Sequence, residues 1–228
     1  MPSPPPCESV RNPGAVPSEG ALRAEPLIVT LRHATAEGHA AVEQLPIMRA
    51  LMAPTVTWGD YRLYIERMAL VYGTLEPPLL AGLDAGLAGR PHLRPALRPK
   101  VPALLADLGA LGLPPPSITT PQGSGDLSWA LGGLYVLEGA TLGSRVIARH
   151  LRRHLGPAGA GDPLGCAAFM GIHDDPEGPG ASRAWRQFGN ALDALVELGL
   201  ITGDRVVESA QVVFERVHQV LAGPAAAT

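Results

Sequence analysis

The chain has 228 residues, a formal net charge of −3 and 46% hydrophobic residues. That is enough apolar material for one sizeable core and too much for disorder throughout, and the charge balance offers no footprint for nucleic acid or an anionic membrane. No apolar run reaches the roughly 18 residues of a membrane span. Cys7 and Cys166 are too few for a disulfide framework and lack metal-ligand spacing, so a reducing cytoplasm is the expected setting.

Residues 1–25 are rich in Pro, Ser and Gly, lack the regions of a secretion signal, and read as a disordered tail. The folded domain is expected over 26–222, with 223–228 fraying. Its first helix should run from Pro26 to Glu43, where Pro46 stops it. His39 and Glu43 stand four apart there, so their side chains are neighbours. A carboxylate beside an imidazole can orient the ring as a metal ligand, although most helical histidines have no such role.

Thr57-Trp-Gly-Asp60 resembles a capping box and opens a long helix to about Leu83. Tyr61, Tyr64, Met68, Tyr72 and Leu75 give it a broad apolar face, and Pro77 and Pro78 should kink or interrupt it near Glu76. Residues 85–125 read as a surface connector with one short helix at 101–111. Asp126 then caps a helix to about His154, whose end carries Arg145, Arg149, Arg152 and Arg153. Asp162-Pro163 should start a short helix through Met170, followed by a loop over 171–180. Ser182 should cap a helix over 183–198, and a last amphipathic helix covers 204–221. No stretch alternates long enough to be a strand, so the fold class is all-α in one domain.

The helix after Asp126 holds Gly132, Gly133, Gly139 and Gly143, each costing about 1 kcal/mol relative to alanine. Gly132, Val136, Gly139 and Gly143 recur at helical spacing on one face. Close packing of another helix explains a bare face, and so does a flat ligand lying on the backbone.

Two segments carry a resemblance. ATAEGHAAVE at 34–43 and LYVLEGATLG at 134–143, followed by the Trp185–Phe188 pair, resemble the haem oxygenase family, and most of all its bacterial branch associated with bacteriophytochromes. The resemblance spans about Pro26 to Leu221. It implies a multi-helical fold with haem between a proximal and a distal helix. It implies that His39 is the axial ligand of the haem iron, supported by Glu43, and that Gly139 and Gly143 let the ring lie close to the distal helix. Arg32 and Arg186 match basic positions toward the haem propionates. Tyr72 matches a distal tyrosine that organises pocket water.

The resemblance further implies an enzyme that cleaves haem with O2 and electrons to biliverdin, CO and Fe2+, haem being both substrate and prosthetic group. Electrons would come from an external donor, a ferredoxin or a flavoprotein reductase, and a bacteriophytochrome would receive the biliverdin. Ala140 departs from the pattern, since many members have Asp there to order the water that delivers protons. Ser144 likewise replaces a frequent glycine. Glu138, one position off the glycine stripe, is expected to face away from iron. The other six histidines, His33, His92, His150, His154, His173 and His218, read as solvated. One alternative is a haem-binding or storage protein without turnover. Another is a thiaminase-like enzyme, which the placing of the two cysteines disfavours.

Overall fold

The computed structural model describes residues 25–117, 126–155, 167–172 and 180–223. The two tails lie outside them, except Glu25 and Gly223, as do Cys7, Cys166, His173, residues 162–166 of the expected short helix and most of the 171–180 loop. The described residues contain α-helices, one 3-10 turn at Pro91–Leu93 and no strand.

The first expected helix is two helices, α1 (Leu27–Ala34) and α2 (Ala36–Glu43). Thr35 breaks it: its backbone sits at φ −107°, ψ 2°, and its buried hydroxyl donates to the Leu31 carbonyl at 2.7 Å. Such back-bonding by a β-branched residue competes with the helical ladder. Pro46 does not merely end that region, because it opens α3 (Pro46–Leu51) from the first-turn position where its missing N–H costs nothing.

Helix α4 (Trp58–Gly86) begins at the expected capping box: Thr57 accepts from the Asp60 amide at 3.2 Å, and Asp60 accepts from the Thr57 amide at 2.8 Å. It runs through Pro77 and Pro78 without interruption. The residues flanking them are locked in place. Leu79 and Leu83 lie in the core, and the Glu76 carboxylate accepts the amides of Lys100 at 2.8 and 2.9 Å and of Val101 at 2.9 Å. Those amides belong to the start of α5 (Val101–Ala110), which has no cap of its own, so α4 supplies it. The region read as a surface connector is therefore partly core. Lys100, Leu104, Asp107 and Leu108 are all buried. Asp107 in turn accepts from the amides of Ala168 and Phe169 at 2.7 and 3.0 Å, which pins residues 168–170 as turns where a helix was expected.

Helix α6 (Leu127–His154), capped by Asp126 as anticipated, runs through the middle of the molecule. Helices α7 (Gly180–Glu197) and α8 (Gly203–Ala222) complete the bundle. The α4–α6 and α6–α8 seams are built on the first two glycines of α6. A Cβ on Gly132 would fall 2.2 Å from the Val206 carbonyl of α8, and one on Gly133 2.5 Å from Leu79 of α4. These two glycines permit close helix packing, and only Gly139 and Gly143 remain for the second explanation of the bare face. Helix α7 starts two residues before Ser182, which therefore lies inside it. No described helix is long and apolar enough to cross a membrane.

Candidate functional site

The site begins at a corner where the break between α1 and α2 meets α6. The Thr35 hydroxyl lies 3.5 Å from the Tyr135 phenol oxygen. One turn beyond Thr35 stands His39, and one and two turns beyond Tyr135 stand Gly139 and Gly143, so helical spacing carries both sets away from one shared contact. Both helices rest on α8. There Phe214 meets the His39 ring edge-on, at 6.2 Å between centroids, and would lie 3.2 Å from a Cβ on Gly38.

His39 and Glu43 are together as expected. Nδ1 is 3.6 Å from the Glu43 carboxylate, and the side chains are 64% and 62% exposed. With Nδ1 turned toward Glu43, Nε2 is the ring nitrogen left for a metal. On α6, the other element of this corner (the slot), a Cβ on Gly143 would meet nothing within 4 Å, and Leu142 and Val146 are 36% and 57% exposed. A bare, apolar, uncovered stretch of α6, joined to an accessible imidazole on α2 through the Thr35–Tyr135 corner, fits a flat macrocycle carrying a metal. Gly139 is different. The indole of Trp185 lies over it, 3.3 Å from where its Cβ would be, and that indole also packs on Tyr135 at 5.3 Å and stacks on Phe188 at 6.0 Å.

Arg32 and Arg186 sit on different helices, and the helix register relates them. The Leu27 amide donates to Asp193 at 2.8 Å, and Ile28 lies 3.1 Å from a Cβ placed on Gly189. Advancing along α1 thus means retreating along α7. One further turn brings Arg32 level with Trp185 and Arg186, and both arginines are exposed. Two exposed guanidinium groups at one level of adjacent helices suit a pair of carboxylates.

Tyr72 lies behind α6 and not on the slot. It is fully buried, its hydroxyl donates to the Leu137 carbonyl at 2.7 Å, and its ring meets Phe169 at 5.2 Å. Burial pushes its phenol well above the ordinary value, with Glu138 adding to the effect. Its role is to position α6 two residues before Gly139.

Glu138 pairs with the Lys100 ammonium and also lines a small cavity beside Leu142, Trp185 and Phe188. Both members of the pair are buried, and Glu76 holds the Lys100 amide from the other side. Burial raises the Glu138 carboxyl, opposed by the Lys100 charge, and burial likewise raises Glu76 against the amides that hold it. Sequence reasoning missed Lys100. It is the only lysine in a chain that otherwise uses 17 arginines, and that singularity was the available signal. Phe214 and Trp185 border the site, the first against His39 and the second over Gly139. Among the other histidines, His150 is not simply solvated: its Nε2 lies 2.9 Å from the Ala53 carbonyl and its ring 4.4 Å from that of His154. No group of three or more described His, Cys, Asp or Glu residues could hold a bare metal ion.

No family model matches this chain. A haem oxygenase of Xanthomonas campestris pv. campestris is 37% identical over 129 residues, covering 56% of this chain and 70% of that protein. Among solved structures, the NO- and CO-bound haem oxygenase of Neisseria meningitidis superposes with a TM-score of 0.62 at 20% identity, over 90% of this chain and 96% of that one. The haem oxygenase of Leptospira interrogans gives 0.61 at 19%, over 87% and 99%. Haem oxygenase-1 of the cyanobacterium Synechocystis, solved in complex with haem, gives 0.60 at 13%, over 86% and 91%. At these identities the structural likeness speaks for the fold.

Proposed function

This chain belongs to the haem oxygenase family of enzymes, and from that premise we propose that it cleaves haem with O2 and externally supplied electrons to biliverdin, CO and Fe2+ in the cytoplasm. The observation that carries the reading is the slot itself: an exposed His39–Glu43 pair on α2 and an uncovered helix face at Gly143 on α6. Haem, once bound, supplies the iron that takes up O2 and is also the molecule oxidised.

The protein's own residues bind and orient. His39 offers Nε2 to the iron, while Glu43 fixes the ring and raises its basicity. Arg32 and Arg186 grip the propionates and set the rotation of the ring in the slot. Gly143 admits the ring against the backbone, and Gly139 does the same once Trp185 yields its place. Tyr72, through the Leu137 carbonyl, holds that stretch of α6 at a fixed height. The electron donor is a ferredoxin or a flavoprotein reductase, and a bacteriophytochrome is the recipient of the product. A haem-binding protein without turnover is the second reading, favoured by Ala140, which offers no carboxylate on the exposed side of α6.

The test is a haemin titration of the wild type and of His39→Ala, followed by reductant in air. A Soret band saturating near one equivalent, displaced in the variant and converted to bilin absorbance, supports the oxygenase. Saturable binding through His39 without bilin selects the storage reading, and weak, non-saturating binding sinks both.

A further inference from the structure

Ser144 presents an oddity in an otherwise satisfied interior. Among the described residues its Oγ is the buried side-chain polar atom that has no hydrogen-bond partner, and the residue is 1% exposed. A helical serine ordinarily relieves itself by donating to the carbonyl four residues back. Here that carbonyl belongs to Ala140, and the bond is not made. A buried hydroxyl left unpaired is costly, and proteins meet such a cost with ordered water when the surroundings are polar and roomy enough.

The position of this hydroxyl is informative. Ser144 follows Gly143 directly and lies one turn beyond Ala140, on the same helical face. The register of α4 against α6 says what stands opposite. Leu79 meets Gly133 and Tyr72 meets Leu137, so the helices run antiparallel, and two further turns bring Tyr64 level with Ser144. Tyr64 is buried too, and burial holds its phenol well above the ordinary value. Two hydroxyls thus share a level behind the one position where a carboxylate would be expected and alanine stands.

We propose that the Ser144 hydroxyl is a positioning residue for the distal side of the slot: it anchors the water that a carboxylate at position 140 would otherwise order, with Tyr64 at the same level as its second polar neighbour. This rests on the haem oxygenase reading given above. No bond is made or broken by Ser144 itself. It fixes a water, and that water's orientation decides whether a proton reaches the oxygen-binding face of the haem. The titratable and charged groups on the two helices around this level are Tyr64, Glu66, Arg67 and Tyr72 of α4 and Arg145 and Glu138 of α6, the last paired with Lys100.

The experiment uses the full chain and the variants Ser144→Ala, Ser144→Thr and Ser144→Ala/Ala140→Asp. The first readout is thermal unfolding of the haem-free proteins. A dry, unpaired hydroxyl predicts that Ser144→Ala gains stability, whereas a hydroxyl that holds water predicts no gain or a loss. The second is the pH of the acid–alkaline transition of the ferric haem complex, read optically, which responds to hydrogen bonding on the iron-bound water. We expect Ser144→Ala to move it by about 0.5 pH unit or more, with haemin binding unchanged and bilin formation slowed roughly tenfold. Ser144→Thr should retain the wild-type transition, and the Asp in the double variant should restore the rate. A rise in melting temperature for Ser144→Ala, or a transition and rate equal to the wild type, overturns the proposal. A wild type that takes up no haemin overturns the function reading and this one with it. A wild type that forms bilin while Ser144→Ala changes nothing overturns this one alone.

Discussion

Replacing Gly143 by alanine should make the protein more stable and worse at binding haem. The helix interior gains about 1 kcal/mol when glycine becomes alanine. Nothing in the structure opposes that gain, because a Cβ at this position meets no atom within 4 Å. For a chain of 228 residues the expected rise in melting temperature of the haem-free protein is about 2–4 °C. The same methyl group projects into the slot where a macrocycle would lie on the backbone. Overpacking of about 1–3 kcal/mol corresponds to roughly a 5- to 150-fold rise in Kd for haemin. Thermal unfolding without haem and a Soret titration measure the two effects on one preparation. A lower melting temperature would mean the space is not open. A higher melting temperature with an unchanged Kd would mean the ring does not lie on this face, and the site as drawn would fall.

Gly132→Ala should behave oppositely, since its Cβ would sit 2.2 Å from a backbone carbonyl of α8 that no rotamer change can move. The overpacking cost exceeds the propensity gain, for a net loss of about 2 kcal/mol, read as a fall of about 4–8 °C in melting temperature. Lys100→Met leaves the Glu138 carboxylate buried without its partner and should cost about 3–5 kcal/mol near neutral pH. An unpaired buried carboxyl has a folded-state pKa above its unfolded value, so it destabilises as pH rises through that folded value and ceases to do so below the unfolded one. The deficit of Lys100→Met against the wild type should therefore shrink as pH is lowered toward 5, and adding Glu138→Gln should remove most of it. A deficit independent of pH would show that the lysine matters for its packing alone.

Much of this was written in the sequence, for identifiable reasons. The capping box at Thr57, the Asp126 cap, the amphipathic faces of α4, α7 and α8, and the His39–Glu43 pair are local patterns in which neighbours along the chain settle the structure. What the sequence concealed was partnership across distance. Pro77 and Pro78 look like an interruption until Glu76 is found holding α5, a relation spanning 24 residues. Lys100 looks solvated until two glutamates from separate helices converge on it. Thr35 broke the first helix because its hydroxyl has somewhere else to bond, which propensity alone does not reveal. The glycines of α6 divide into two pairs. Gly132 serves the seam to α8 and Gly133, off the stripe, the seam to α4, while Gly139 and Gly143 remain for a ligand.

The helix that carries His39 has a property its neighbours lack: none of its eight residues is buried. A helix of that length does not persist in water by itself, so α2 depends on its joint at Thr35 and on the aromatic contact from α8. Its amides should therefore exchange with solvent ahead of those of α4 and α6, whose core residues open only with the whole molecule. An iron bond to His39 would fasten this segment from the opposite side. Haem uptake then acts as the missing tertiary contact of α2, and the apparent affinity is the intrinsic one scaled down to the fraction of time the segment is formed. The substrate completes the fold of the helix that receives it, and loss of iron from the product removes that support.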